Sequence, residues 1–110
     1  MPTTSTAPLA DRVHVIIPGD LTSTSFESAK LAIFQAMADA DARHDHWRAL
    51  RIDLGSARMV DSVGLNLLVH VIKHVEQRGL QLEIVIGHPS VARAIAFTRL
   101  DTKLTVIRRA

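Results

Sequence analysis

Short apolar runs rich in β-branched residues alternate along the chain with longer stretches whose apolar positions recur every three or four residues. The first run, residues 13–17 (Val-His-Val-Ile-Ile), ends at Pro18-Gly19 and predicts a buried strand with its exit turn. Thr24 and Glu27 have the spacing of a capping box, and Phe26, Ala29, Ile33 and Met37 follow at helical intervals, predicting a helix to about Ala40. Residues 39–47 are polar and His-rich, so His44, His46 and Trp47 read as an exposed loop with one anchoring aromatic. Leu50, Ile52 and Leu54 then alternate with Arg51 and Asp53 as a second strand.

From Ser62 onward Leu65, Leu68, Val69, Ile72 and Val75 repeat at helical spacing, and Gly79 supplies a stop. Residues 80–86 read as a strand, Gly87 and His88 as a turn, Pro89 as the first residue of a helix carrying Val91, Ile95 and Phe97, and residues 104–107 as a final strand. Residues 1–11, rich in Thr, Ser and Pro, read as a flexible arm or a weak first strand before a single domain over 12–110. Strands alternating with helices imply an α/β architecture with a largely parallel sheet. Right-handed crossovers then bring the loops after Ile17, Leu54 and Ile86 to one edge, where such folds place their sites.

At 110 residues the chain holds one domain with one core, and 47% hydrophobic against 22% charged residues makes that domain globular. The absence of cysteine excludes a disulfide framework, a thiolate metal site and a cysteine nucleophile. No apolar run reaches the roughly 20 residues needed to span a bilayer, and residues 1–10 lack a leader pattern, so a cytoplasmic protein without membrane insertion is expected. The pI of 9.7 suggests nucleic acid at first sight. The net charge is only +2, however, and the basic residues form no stripe with interleaved aromatics, so direct nucleic-acid binding is not expected.

The most informative stretch is residues 50–68, LRIDLGSARMVDSVGLNLL, in which Asp61-Ser62-Val63-Gly64-Leu65 opens the long helix after a strand and short loop. Taken alone, Ser62 is a candidate N-cap, its hydroxyl accepting a free backbone N–H. Gly64 in the first turn costs about 0.8 to 1 kcal/mol of helix propensity relative to Ala, which suggests close approach by another backbone or a partner. The stretch resembles the STAS family, which includes bacterial anti-sigma factor antagonists and the cytosolic domains of sulfate transporters. Gly19-Asp20-Leu21 also stands where that family commonly has Gly-Glu-Leu or Gly-Arg-Leu.

The resemblance implies a mixed, largely parallel sheet of four to five strands. It also implies that Ser62 is a phosphate acceptor and that the partner is an anti-sigma factor or GHKL-type serine kinase, with a phosphatase to reset the switch. Asp20, Ser23, Met59, Asp61, Ser62, Val63, Gly64 and Leu65 would form the docking edge. The chain departs from the family pattern at Thr22, where an acidic residue is common, and at Val63, where a smaller residue is usual. Thr98-Arg99-Leu100 replaces a common Thr-Gly-Leu, which predicts a reshaped turn.

Other chemistries find less support. His70 and His74 sit four apart, as zinc ligands do, but the sequence supplies no third ligand. Asp53 near a strand end resembles a receiver aspartate, yet Pro18-Gly19-Asp20 offers only one further carboxylate. There is no Gly-rich phosphate loop, no GxGxxG and no GxSxG element, so neither an enzyme nor a bound cofactor is expected. A constitutive STAS subunit of a lipid transporter or multi-STAS scaffold is the alternative to a phosphorylated switch.

Overall fold

The β-branched runs form strands because their alternate residues can be buried on a single sheet face. The computed structural model describes residues 12–43 and 46–109, so the expected arm or first strand over 1–11, and His44, lie outside the described residues. Strands β1 (Arg12–Ile16), β2 (Ala49–Leu54), β3 (Gln81–Ile86) and β4 (Thr105–Arg108) alternate with helices α1 (Phe26–Ala42), α2 (Ser62–Gln77) and α3 (Pro89–Phe97). The strands lie in the order β1-β2-β3-β4, and every described pair is parallel.

Register aligns the apolar residues in rows. Val13, Leu50 and Leu82 form one row, and Val15, Ile52, Ile84 and Val106 the next. The buried residues of all three helices join this face in one core: Ala29, Ile33 and Met37 from α1, Leu67, Leu68, Val71 and Ile72 from α2, Val91 and Ile95 from α3. Each fully buried Leu or Ile contributes about 1.5 to 3 kcal/mol. Consecutive strands advancing one way, with right-handed connections, place the helices together on that side.

The opposite face carries charge. Glu83 is buried, and its carboxylate accepts hydrogen bonds from Arg12 and Arg51, both at 2.9 Å. Burial pushes its carboxyl up, but the hydrogen bonds from Arg12 and Arg51 outweigh it and hold the group below its ordinary range. Asp53, near the end of β2, is also buried; it accepts the Gly55 N–H at 2.7 Å and forms an ion pair with Arg109.

Several element ends differ from expectation. Helix α1 starts at Phe26 with Ser25 as its N-cap residue, so the Thr24–Glu27 capping box does not form. The Ser25 hydroxyl instead donates to the Asp20 carbonyl at 2.7 Å and accepts the Thr22 N–H at 3.1 Å, closing the preceding turn. The helix continues to Ala42, into the segment expected to be a loop. Trp47 anchors the approach to β2: it is buried, donates to Asp41 at 2.9 Å and lies under the Arg78 guanidinium.

Helix α2 ends as expected. Gly79 takes a positive φ of 70°, its N–H bonds the Glu76 carbonyl, and the Leu80 N–H bonds that of Val75 at 2.8 Å. Phe97 is not a core residue of α3 but is 91% exposed. In the turn after it, Arg99 holds the left-handed conformation (φ 61°) that glycine would hold without strain. Arg99→Gly should therefore raise stability by about 0.5 to 1 kcal/mol, the relief of strain exceeding the added chain entropy. An unchanged or lower urea midpoint would show that this turn stores no strain.

Candidate functional site

The loop after β1 and the loop before α2 are joined by backbone. The Leu21 N–H donates to the Met59 carbonyl and the Asp61 N–H to the Leu21 carbonyl, each at 3.2 Å, making a short parallel bridge between Leu21 and Val60. Two carboxylates reinforce it from opposite sides. Asp20 Oδ1 accepts the N–H groups of Arg58 (2.8 Å) and Met59 (3.2 Å). Asp61 accepts the Gly64 N–H on Oδ1 and the Ser23 N–H on Oδ2, both at 2.9 Å. The first turn of α3 joins them through the Ser90 hydroxyl, which donates to the Arg58 carbonyl.

This arrangement changes the reading of Ser62. The N-cap of α2 is Asp61, and Ser62 is the first helical residue. Asp is at least as good a cap as Ser, and the Asp61-x-x-Gly64 spacing is that of an N-cap bonded to the third helical amide. Relieved of capping, Ser62 is exposed, and no hydrogen bond engages its hydroxyl among the described residues.

Gly64 is buried. A Cβ there would run into the Leu21 carbonyl oxygen, so the close approach inferred from this glycine is made by the chain's own backbone. The buried stripe of α2 is Gly64, Leu67, Leu68, Val71, Ile72 and Val75, rotated from the expected one, and Leu65 and Val69 lie half-buried at its flank. Beside Ser62, Met59 is 52% exposed, Asp20 and Ser23 are exposed, and Val63 is half-buried. Asp20, Ser23, Met59, Asp61, Ser62 and Gly64 are thus brought together, with Gly64 as floor and Leu65 at the margin. Sequence reading missed the contributions of Arg58 and Ser90; a serine after a strand-end Gly-His-Pro is the signal available for the second.

The Asp61 carboxyl is held below its ordinary range, chiefly by the Gly64 N–H and then by that of Ser23. A depressed folded-state pKa means that this tie is fully present above the unfolded value of about 3.9 and is lost as pH falls through the folded value. The melting temperature should therefore drop on acidification below about pH 4, and drop less in Asp61→Asn, which keeps one acceptor but titrates nowhere in that range. Parallel acid profiles for the two proteins would remove Asp61 from the acid response.

His70 is exposed and His74 packs edge-on against Phe34, with ring centroids 5.2 Å apart. Among the described residues no group of three or more His, Cys, Asp or Glu side chains is placed to hold a metal, and no helix is long and apolar enough to cross a membrane.

The STAS domain model matches residues 6–109, and the chain belongs to that family. The fold agrees with a crystal structure of a Thermotoga maritima protein provisionally assigned as an anti-sigma factor antagonist, at 18% identity and a TM-score of 0.74, covering 91% of this chain and 80% of that one. No curated protein sequence matches the chain.

Proposed function

We propose that this STAS domain is a partner-switching module of the anti-sigma factor antagonist type. With Ser62 free, it captures an anti-sigma factor or related GHKL-type serine kinase in the cytoplasm; phosphorylation of Ser62 by that partner releases it, and a phosphatase restores the free form. Ser62 is a substrate in this scheme, and the domain itself catalyses nothing. The observation that carries the reading is the exposed Ser62, its hydroxyl unengaged, on a helix start locked in place by Asp61 and Asp20.

Locked loops give a kinase a target that need not be ordered on binding, which removes an entropic cost of association. Met59 offers an exposed apolar contact beside the hydroxyl. A phosphoryl group would add about −1.5 to −2 charge. The α2 N-terminus tolerates an anion there by roughly 0.3 to 1 kcal/mol, so the domain stays folded. A partner surface fitted to a neutral serine next to the Asp61 carboxylate is repelled, so the complex is where the charge acts.

Affinity capture of the partner, followed by mass spectrometry of both partner and Ser62, tests this reading. Incubating the captured kinase with ATP should add one phosphate, and Ser62→Ala should abolish it. Modification at another residue would overturn the site assignment.

A further inference from the structure

Helix α3 ends on an aromatic that nothing in the chain covers: Phe97 is 91% exposed. Arg93 stands one turn before it on the same face of the helix, and Arg99 and Lys103 flank the 3₁₀ turn Leu100–Thr102 that follows. We infer that this corner of the domain docks on an anionic membrane surface, with Phe97 entering the headgroup region and the three cations meeting lipid phosphates.

Charge is distributed to suit such a surface. Residues 88–110 contain five basic residues against one acidic residue, Asp101, whereas the whole chain carries a net charge of only +2. Arg109 is held by Asp53, and Arg108 lies at the far end of β4, which leaves Arg93, Arg99 and Lys103 for the corner. All three are exposed, and none has a carboxylate partner among the described residues. Free cations are drawn to an anionic leaflet, and an apolar ring beside them gains by leaving water for the acyl boundary.

The backbone of the corner favours lipid over a hydrogen-bonding protein partner. The Thr98 N–H closes on the Ala94 carbonyl and the Arg99 N–H on that of Ala96. The Thr98 hydroxyl donates to the Ala94 and Ile95 carbonyls at 2.9 and 3.0 Å, and the Thr102 hydroxyl to the Arg99 carbonyl at 2.7 Å. Carbonyls that a helix end ordinarily leaves to water are thus satisfied within the chain, so the corner gives up hydration at little cost. Ser90, Ala94 and Ala96, which share the open surface with Arg93 and Phe97, are small, so the ring projects beyond them. Leu100, buried in the core, holds the turn in place.

The placement is compatible with the Ser62 surface. Helix α3 runs from the edge where β3 ends to the edge where the parallel strand β4 starts, so Phe97 and Lys103 lie at the opposite edge of the sheet from Ser62. A docked domain keeps Ser62 turned towards solvent.

Vesicle flotation of the whole chain tests the inference. Vesicles of equimolar phosphatidylcholine and phosphatidylglycerol should carry the protein at low salt, release it as salt rises, and bind it at least about tenfold better than phosphatidylcholine alone. Phe97→Ala and Arg93→Glu, both at exposed positions, should each weaken that binding at least about fivefold with unchanged melting temperatures. Lys73→Glu, the same change of charge at an exposed position of α2, should leave it within about twofold. Equal recovery on phosphatidylcholine alone, equal losses for Lys73→Glu and Arg93→Glu, or undiminished binding of Phe97→Ala would overturn the inference. No binding to the anionic vesicles would overturn it as well and leave an acidic protein as the occupant of this surface. The Ser62 reading does not depend on the outcome.

Discussion

Gly64→Ala should destabilise the domain by about 2 kcal/mol, and Gly64→Val by more than about 3 kcal/mol, although both residues are better helix formers than glycine. The Ala methyl recovers about 0.8 to 1 kcal/mol of propensity. Against this stands the Leu21 carbonyl oxygen, in the path of the new Cβ and itself accepting the Asp61 N–H at 3.2 Å. Relieving the overlap costs about 1 to 3 kcal/mol of overpacking. It also breaks a backbone hydrogen bond worth about 1 kcal/mol. Val adds branching where Leu21 and Val60 already stand 3.0 Å from the built Cβ. The urea midpoint is the readout, with Asn66→Ala, an exposed change on the same helix, as a control expected within about 0.5 kcal/mol of the parent. A near-neutral Gly64→Ala would mean that the Leu21 loop moves aside freely, and the locked-loop description of the site would fail with it.

The second large effect is on binding. Ser62→Glu should weaken partner capture by more than about tenfold, or about 1.4 kcal/mol, whereas Ser62→Ala should change it by no more than a few-fold. An added carboxylate meets a desolvated surface and a neighbouring anion at once, and like charges forced together across an interface cost several kcal/mol. Because Ser62 is not the N-cap, neither substitution removes a helix-capping bond, so a loss of binding is not a loss of folding. Equal thermal midpoints for the variants would confirm that separation. Equal affinities of Ser62→Ala and Ser62→Glu would place the switch away from this helix.

The layer architecture and parallel sheet were legible because Val13, Val15, Leu50, Ile52, Leu82 and Ile84 alternate with residues of the charged face. The stripe of α2 was misjudged by about one position because Leu65, Leu67, Leu68, Val69, Val71 and Ile72 spread the apolar residues over about half of that helix's circumference. Two neighbouring stripes satisfy the same spacing, and only packing against Leu21 and the sheet decides between them. The cap of α2 is ambiguous in sequence for a similar reason: Asp61 and Ser62 are both good caps, and the choice depends on which one Ser23 can reach from another loop.

Asp20 was legible as a member of the site but not in its role. Its carboxylate binds the amides of residues 58 and 59, which are distant in sequence and carry no side-chain signal. Phe97 stands two residues past Ile95, on the other side of the helix from the Val91 and Ile95 stripe, and so faces outward. Arg99 shows how local rules yield to topology: the chain must reverse between α3 and β4, and it does so through a left-handed residue even without glycine.

The most direct test compares the affinity of the captured partner for the unmodified domain with its affinity for the domain phosphorylated at Ser62, by calorimetry at fixed salt. Phosphorylation should weaken binding by more than about tenfold while the melting temperature of the isolated domain stays unchanged. Equal affinity for the two forms would contradict a switch at Ser62.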